Sequence, residues 1–147
     1  MENLDSTVAH QIAQAACAFE QQRTGHLPQS VAVILSENTV VITLQGALSP
    51  AEQALARSPA GAAQMQEFHR QLFIDSADSL TQDIRRITGV EVLEATAEMG
   101  TTTGAIVHAF KTGTMVQVFL LARSVPAGSW GGNGFGEPIQ KMEVLPC

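Results

Sequence analysis

Histidine and cysteine are the residue types in this chain that most often bind metals or act as nucleophiles, so their spacing indicates what chemistry is available. The chain has four histidines and two cysteines. The histidines are His10, His26, His69 and His108. They form no His-x-His or His-x-x-x-His pair, and the cysteines form no Cys-x-x-Cys pair. We predict surface or packed histidines and no metal site, and a site assembled from residues distant in sequence stays open at this point.

The cysteines, Cys17 and Cys147, are too few for the disulfide framework of a small secreted domain. Cys17 falls in a predicted helix, almost opposite to its apolar stripe, and no Lys, Arg or His lies at helical spacing to activate its thiol. The first residues, Met1–Asp5, include acids rather than the basic start of a secretory signal. We therefore expect an inert thiol at Cys17 and a reducing, cytoplasmic location.

The glycine-rich segment Trp130–Gly136 resembles a phosphate-binding loop in composition only. In a phosphate loop the glycines are followed by a helix, often opened by Lys-Ser or Lys-Thr, whereas Glu137 and Pro138 follow the glycines here. An aromatic pair set in glycines is better suited to docking on another subunit. We therefore predict Trp130 and Phe135 as partner or oligomer contacts.

The charge of the chain restricts its partners. Fourteen acidic residues against eight basic ones give a formal net charge of −6. DNA, RNA and anionic membranes attract clustered Lys and Arg, and the only adjacent basic pair, Arg85-Arg86, falls in the last turn of a predicted helix. The longest apolar stretches, such as Val116–Ala122, have the length of strands rather than membrane spans. We expect neither nucleic acid binding nor direct membrane insertion.

The helix signals are local and specific. A first helix is predicted from about residue 6 to 23, with Gly25 as its stop. The segment Ser49-Pro50-Ala51-Glu52 reads as a capping box that opens a second helix. Ser58-Pro59 opens a third, long helix, whose apolar residues recur at helical spacing until Gly89.

Strand patterns complete the fold prediction. Strands are expected at residues 30–35, 39–44, 90–95 and 114–121, with an ambiguous further one at 105–110. The resulting order, α-β-β-α-α-β-(β)-β, predicts an α+β two-layer sandwich with a mainly antiparallel sheet packed on the long helix and the N-terminal helix. The length of 147 residues favours one domain, which we place at 1–123, with a Gly-rich C-terminal extension at 124–147.

Three segments carry a family resemblance. Leu48–Glu52, Leu55–Gly61 and Ile87–Val92 occur in the order and spacing of the MpsC-like family, long catalogued as a domain of unknown function. The predicted first and last hairpins are also similar, so that the resemblance covers about residues 10–121. It implies a small cytoplasmic protein of a sodium-translocating system that generates membrane potential. It implies no enzyme activity and supplies no catalytic residues.

We therefore expect a non-catalytic cytoplasmic accessory or regulatory module that assists a cation- or inorganic-carbon-linked membrane transport system, with a protein partner in that system. Strands that look apolar on both faces predict a homodimer formed by sheet packing or strand pairing. No catalytic residue, cofactor or metal ligand is assigned.

The alternative is a small-ligand-binding protein or enzyme with its pocket between the sheet and the long helix. In that case His108, Glu94 and Glu98 are the predicted residues at the mouth of the pocket.

Overall fold

The structure is a computed structural model that describes residues 7–99, 113–125 and 141–147. Three helices and five strands form within these residues. In chain order they are α1 (Val8–Thr24), β1 (Ser30–Ser36), β2 (Thr39–Gln45), α2 (Pro50–Leu55), α3 (Pro59–Thr88), β3 (Val92–Met99), β4 (Met115–Leu121) and β5 (Lys141–Pro146). The predicted α+β fold is confirmed.

The helix boundaries follow the predicted caps. Gly25 ends α1 in the left-handed conformation, with φ 79°. At α2 the side chain of Ser49 accepts from the backbone N–H of Glu52, and the Glu52 carboxylate accepts from the backbone N–H of Ser49. The long helix α3 begins at the Ser58 cap and ends at Gly89, with φ 75°. The two helix starts and the long helix are therefore confirmed.

The five strands form one antiparallel sheet in the order β3-β4-β2-β1-β5. In β2 the side chains of Val40, Ile42 and Leu44 are fully buried, as the alternation predicts. The strand predicted at 90–95 is found at Val92–Met99. The ambiguous strand at 105–110 lies outside the described residues. The edge strand β5 was not predicted, because a short segment after a glycine-rich stretch carries little strand signal of its own.

The core lies between the sheet and a layer formed by α1 and α3, which contact each other and the strands. Its centre is the fully buried Phe73 of α3. The ring of Phe73 makes edge contacts with Phe19 of α1 at 6.0 Å and with Phe119 of β4 at 6.1 Å between centroids. These three rings join α1 and α3 to β4.

The expectation of an inert thiol at Cys17 is wrong. Cys17 is buried and forms a disulfide with Cys147, with 5.8 Å between their Cα atoms. The prediction failed because it treated α1 in isolation, whereas the chain returns after β5 to the side of α1 that carries Cys17. The bond links residues separated by 130 positions.

Candidate functional site

A charged cluster lies inside the core between α1 and β4. The carboxyl group of Glu20 is fully buried and forms an ion pair with Arg23, whose side chain is 5% exposed. Gln117 Nε2 donates a hydrogen bond to Glu20 Oε2 at 3.1 Å. The Arg23 guanidinium also lies over the Phe19 ring, 4.7 Å from its centroid.

This cluster keeps unused hydrogen-bonding capacity. Within the described residues, Glu20 Oε1 and Gln117 Oε1 are buried acceptors without a hydrogen-bond partner, and Arg23 Nε and Nη1 are buried donors without one. A set with both acceptors and donors suits an internal water rather than a bare cation, because the guanidinium already supplies the positive charge. The cluster therefore contributes to how α1 and β4 pack, and it does not form a recognisable catalytic group.

A second polar pair, in which only the histidine is fully buried, joins α2 to α3. His69 of α3 is fully buried, and its Nε2 lies 3.2 Å from Glu52 Oε2. Glu52 thus serves two purposes, since its other oxygen completes the α2 capping box. The two helices also touch at Gly61, where a Cβ atom would lie 1.8 Å from the backbone oxygen of Leu55. His69 is a packed histidine in this arrangement, as predicted.

A cleft of about 600 Å³ opens between α1, β1 and β5. Its apolar lining includes Val31 of β1 and Leu145 of β5, and the disulfide-bonded Cys17 and Cys147 both border it. Polar side chains of α1, among them Gln14, line it as well. The volume falls within the range of small-molecule sites, but the lining brings together few polar groups.

In the described residues, the sheet has a second face opposite the helices. Side chains on this face are half-buried, in alternation with the buried core positions. We call it the outer face and define it by Ala32, Ile34, Thr39, Val41, Thr43, Val116, Val118 and Leu120.

The strand registers place the apolar side chains of the outer face in rows. Val41 pairs with Ile34 on one side and with Val118 on the other. In the next row, Thr43 pairs with Ala32 and Val116. None of the side chains that define this face is charged, and contiguous apolar patches of this kind mark interaction surfaces.

Two of the residues predicted at the mouth of a pocket or at a partner contact lie within the described residues. Glu94 and Glu98 of β3 are exposed, and they pair in register with Leu120 and Val116. They therefore border the outer face rather than the side that carries α3. His108 and the two aromatic residues Trp130 and Phe135 lie outside the described residues.

The sequence analysis did not identify the Glu20 and Gln117 cluster. A signal was present, because Gln117 occupies the inward position between Met115 and Phe119, and Glu20 lies one helical turn after the buried Ala16. In the part of the chain that the structure describes, no group of three or more His, Cys, Asp or Glu residues is placed to hold a metal ion. The helices within these ranges are also too short or too polar to cross a bilayer.

A family model matches most of the chain. It is described as the Na⁺-translocating membrane potential-generating system (MpsC), and it covers residues 5–122. The matched region contains the Glu20–Arg23 and Glu52–His69 pairs and the outer face, whereas β5 and Cys147 lie beyond it. Comparison with curated proteins and with solved structures gives no significant match.

Proposed function

Because this chain belongs to the MpsC family, we propose that it is a non-catalytic, cytoplasmic accessory or regulatory module that self-associates and assists a cation- or inorganic-carbon-linked membrane transport system. The family description supplies the link to Na⁺ translocation and membrane potential. The side chains of the outer face support the self-association.

The outer face supports this proposal because the helices of the described residues pack on the other side of the sheet. The rows that contain Val41 and Thr43 run across three strands without a charged side chain. Burial of such aliphatic side chains contributes about 25 cal/mol for each Å² removed from water. Contact with a partner over this face would therefore stabilise the complex, because most of the area buried would be apolar.

A second copy of the chain is the occupant that fits best. Two sheets that pack face to face need flat, uncharged, interlocking side chains, and β-branched residues such as Ile34, Val41 and Val118 provide them. A two-fold axis through the face would bring the same patch together from both copies. The exposed Glu94 and Glu98 lie at the border, where two copies can keep their carboxylates hydrated.

The test introduces a charge into the outer face. Val118→Lys places an ammonium group in the row that contains Val41 and Ile34. We expect this variant to be a monomer where the wild-type chain is a dimer. Sedimentation velocity at about 10 to 100 micromolar, the concentrations where weak dimers form, measures the difference. The matched control is Ile74→Lys, because Ile74 is an apolar side chain on α3 that is 52% exposed. It lies in the helix layer, so this variant should remain dimeric.

Circular dichroism and a urea unfolding curve establish that both variants fold. A dimer that persists in Val118→Lys, or that is lost only in Ile74→Lys, would contradict association through the outer face. A wild-type chain that is monomeric throughout the concentration range would contradict self-association itself.

The cleft beside α1 favours a second candidate function, the binding of a small, mainly apolar molecule. Its volume of about 600 Å³ is the supporting observation. A thermal shift with a panel of small apolar carboxylates and alcohols tests this candidate. Gln14→Trp, which narrows the cleft, should abolish any shift if the ligand binds there. An unchanged shift in this variant would place the ligand elsewhere.

A further inference from the structure

Among the described strands, β5 has a single neighbour in the sheet. It pairs only with β1, at the edge of the sheet. Of the three β5 side chains that the structure describes, those of Val144 and Pro146 are exposed, with Val144 at 57%, and that of Leu145 packs against the core. An edge strand with one pairing partner is among the parts of a fold that open most readily by local unfolding. The covalent bond from the adjacent Cys147 to α1 is therefore the strongest constraint on its position.

The disulfide is within reach of small reagents. Cys17 and Cys147 both border the cleft between α1, β1 and β5, whose volume of about 600 Å³ admits a small thiol. Cys147 is half-buried and Cys17 is more completely covered. A small thiol in the cleft can therefore attack a sulfur atom of the disulfide without unfolding of the core.

We propose that Cys17–Cys147 is a reversible thiol–disulfide exchange site that fixes β5 to the sheet when oxidised and releases it when reduced. The reductant is a small dithiol. Its thiolate attacks Cys147, the sulfur–sulfur bond breaks, and the displaced Cys17 thiolate takes a proton from water. The second thiol of the reductant then attacks the mixed disulfide, which leaves two cysteine thiols and an oxidised, cyclic reductant.

Reduction changes the β1 edge of the sheet. In the oxidised state, β5 pairs with Ser30–Leu35 of β1 and the backbone N–H of Cys147 donates to the carbonyl oxygen of Gln29 at 3.1 Å. Release of β5 exposes the hydrogen-bonding groups that β1 directs to this side, and the cleft loses one wall. In the cytoplasmic location proposed above, disulfides are more often transient and regulatory than structural, and this supporting point rests on that proposal. The inference does not depend on dimerisation through the outer face.

Hydrogen exchange followed by mass spectrometry tests the proposal on the full chain. Treatment with dithiothreitol should raise the mass by about 2 Da, which corresponds to two hydrogens. It should also accelerate amide exchange in β5 at least tenfold, while β2 and β4 keep their protection. Reoxidation with glutathione disulfide should restore both readings.

The matched control is Cys147→Ser, which cannot form the bond. Its β5 amides should exchange rapidly with or without dithiothreitol, and Cys17→Ser should behave in the same way. If either variant fails to fold, the comparison of β5 amide exchange in oxidised and reduced wild-type protein still tests the proposal. The proposal is overturned if the wild-type thiols remain free in glutathione disulfide, or if reduction leaves β5 exchange unchanged.

Discussion

The buried cluster of Glu20, Arg23 and Gln117 provides the sharpest test of how the core is held together. We consider the substitution Glu20→Leu, which removes the carboxylate and keeps a side chain of similar size. Arg23, with 5% of its side chain exposed, would then hold a buried positive charge without its acidic partner. Gln117 would lose the acceptor of its 3.1 Å hydrogen bond.

Removal of one partner from a buried ion pair costs about 3 to 5 kcal/mol, because the remaining charge stays desolvated. Single domains are stable by about 5 to 15 kcal/mol, so this loss is a large share of the total. Replacement of all three residues by Leu removes the uncompensated charge together with its partners. We therefore expect the triple variant to lie within about 1 to 2 kcal/mol of the wild-type protein.

Urea unfolding at pH 7, followed by circular dichroism, measures these differences. The matched control is Glu67→Leu, because Glu67 pairs with Arg70 on the surface, where the side chains are 61% and 45% exposed. That change should cost less than about 1 kcal/mol. A cost below about 1 kcal/mol for Glu20→Leu would refute the reasoning, as would a triple variant no more stable than the single one.

Three further changes are expected to lower the free energy of unfolding. Reduction of the Cys17–Cys147 bond should cost about 5 kcal/mol in the loop-entropy model for a separation of 130 residues, measured as a shift of the urea midpoint with dithiothreitol; an unchanged midpoint would contradict this. Gly61→Ala should cost at least about 1 kcal/mol, because its Cβ would lie 1.8 Å from the Leu55 oxygen; equal thermal melting of both proteins would count against that contact. Phe73→Ala should cost about 3 to 5 kcal/mol, and a value under about 2 kcal/mol would indicate that the ring is not central to the core.

Features that depend on neighbouring residues could be predicted from the sequence. The Ser49 and Glu52 capping box needs only four consecutive positions, and its hydrogen bonds are found at 3.0 and 3.3 Å. The alternation of Val40, Ile42 and Leu44 likewise fixes which side chains of β2 enter the core. Each signal depends only on one helix turn or one strand. The contacts that these residues make with the rest of the fold do not change either feature.

Features that depend on distant residues could not be predicted in the same way. Gln117 binds a carboxylate 97 residues earlier, and Cys147 bonds to a thiol 130 residues earlier. Neither pairing has a periodic signal, because it arises only after the sheet brings β4 and β5 beside α1. The position of Gln117 between two buried side chains of β4 was a usable hint, whereas nothing near Cys147 indicated a strand.

The central claim, self-association of a non-catalytic module, is tested most directly by the mass of the purified wild-type protein. Native mass spectrometry at about 50 micromolar reports the number of subunits and any retained ligand together, at a concentration where a micromolar dimer is nearly complete. We predict a dimer with twice the chain mass of 15.6 kDa and no additional mass from a ligand. A species of single chain mass would contradict self-association, and a stoichiometric added mass on each subunit would favour the ligand-binding alternative.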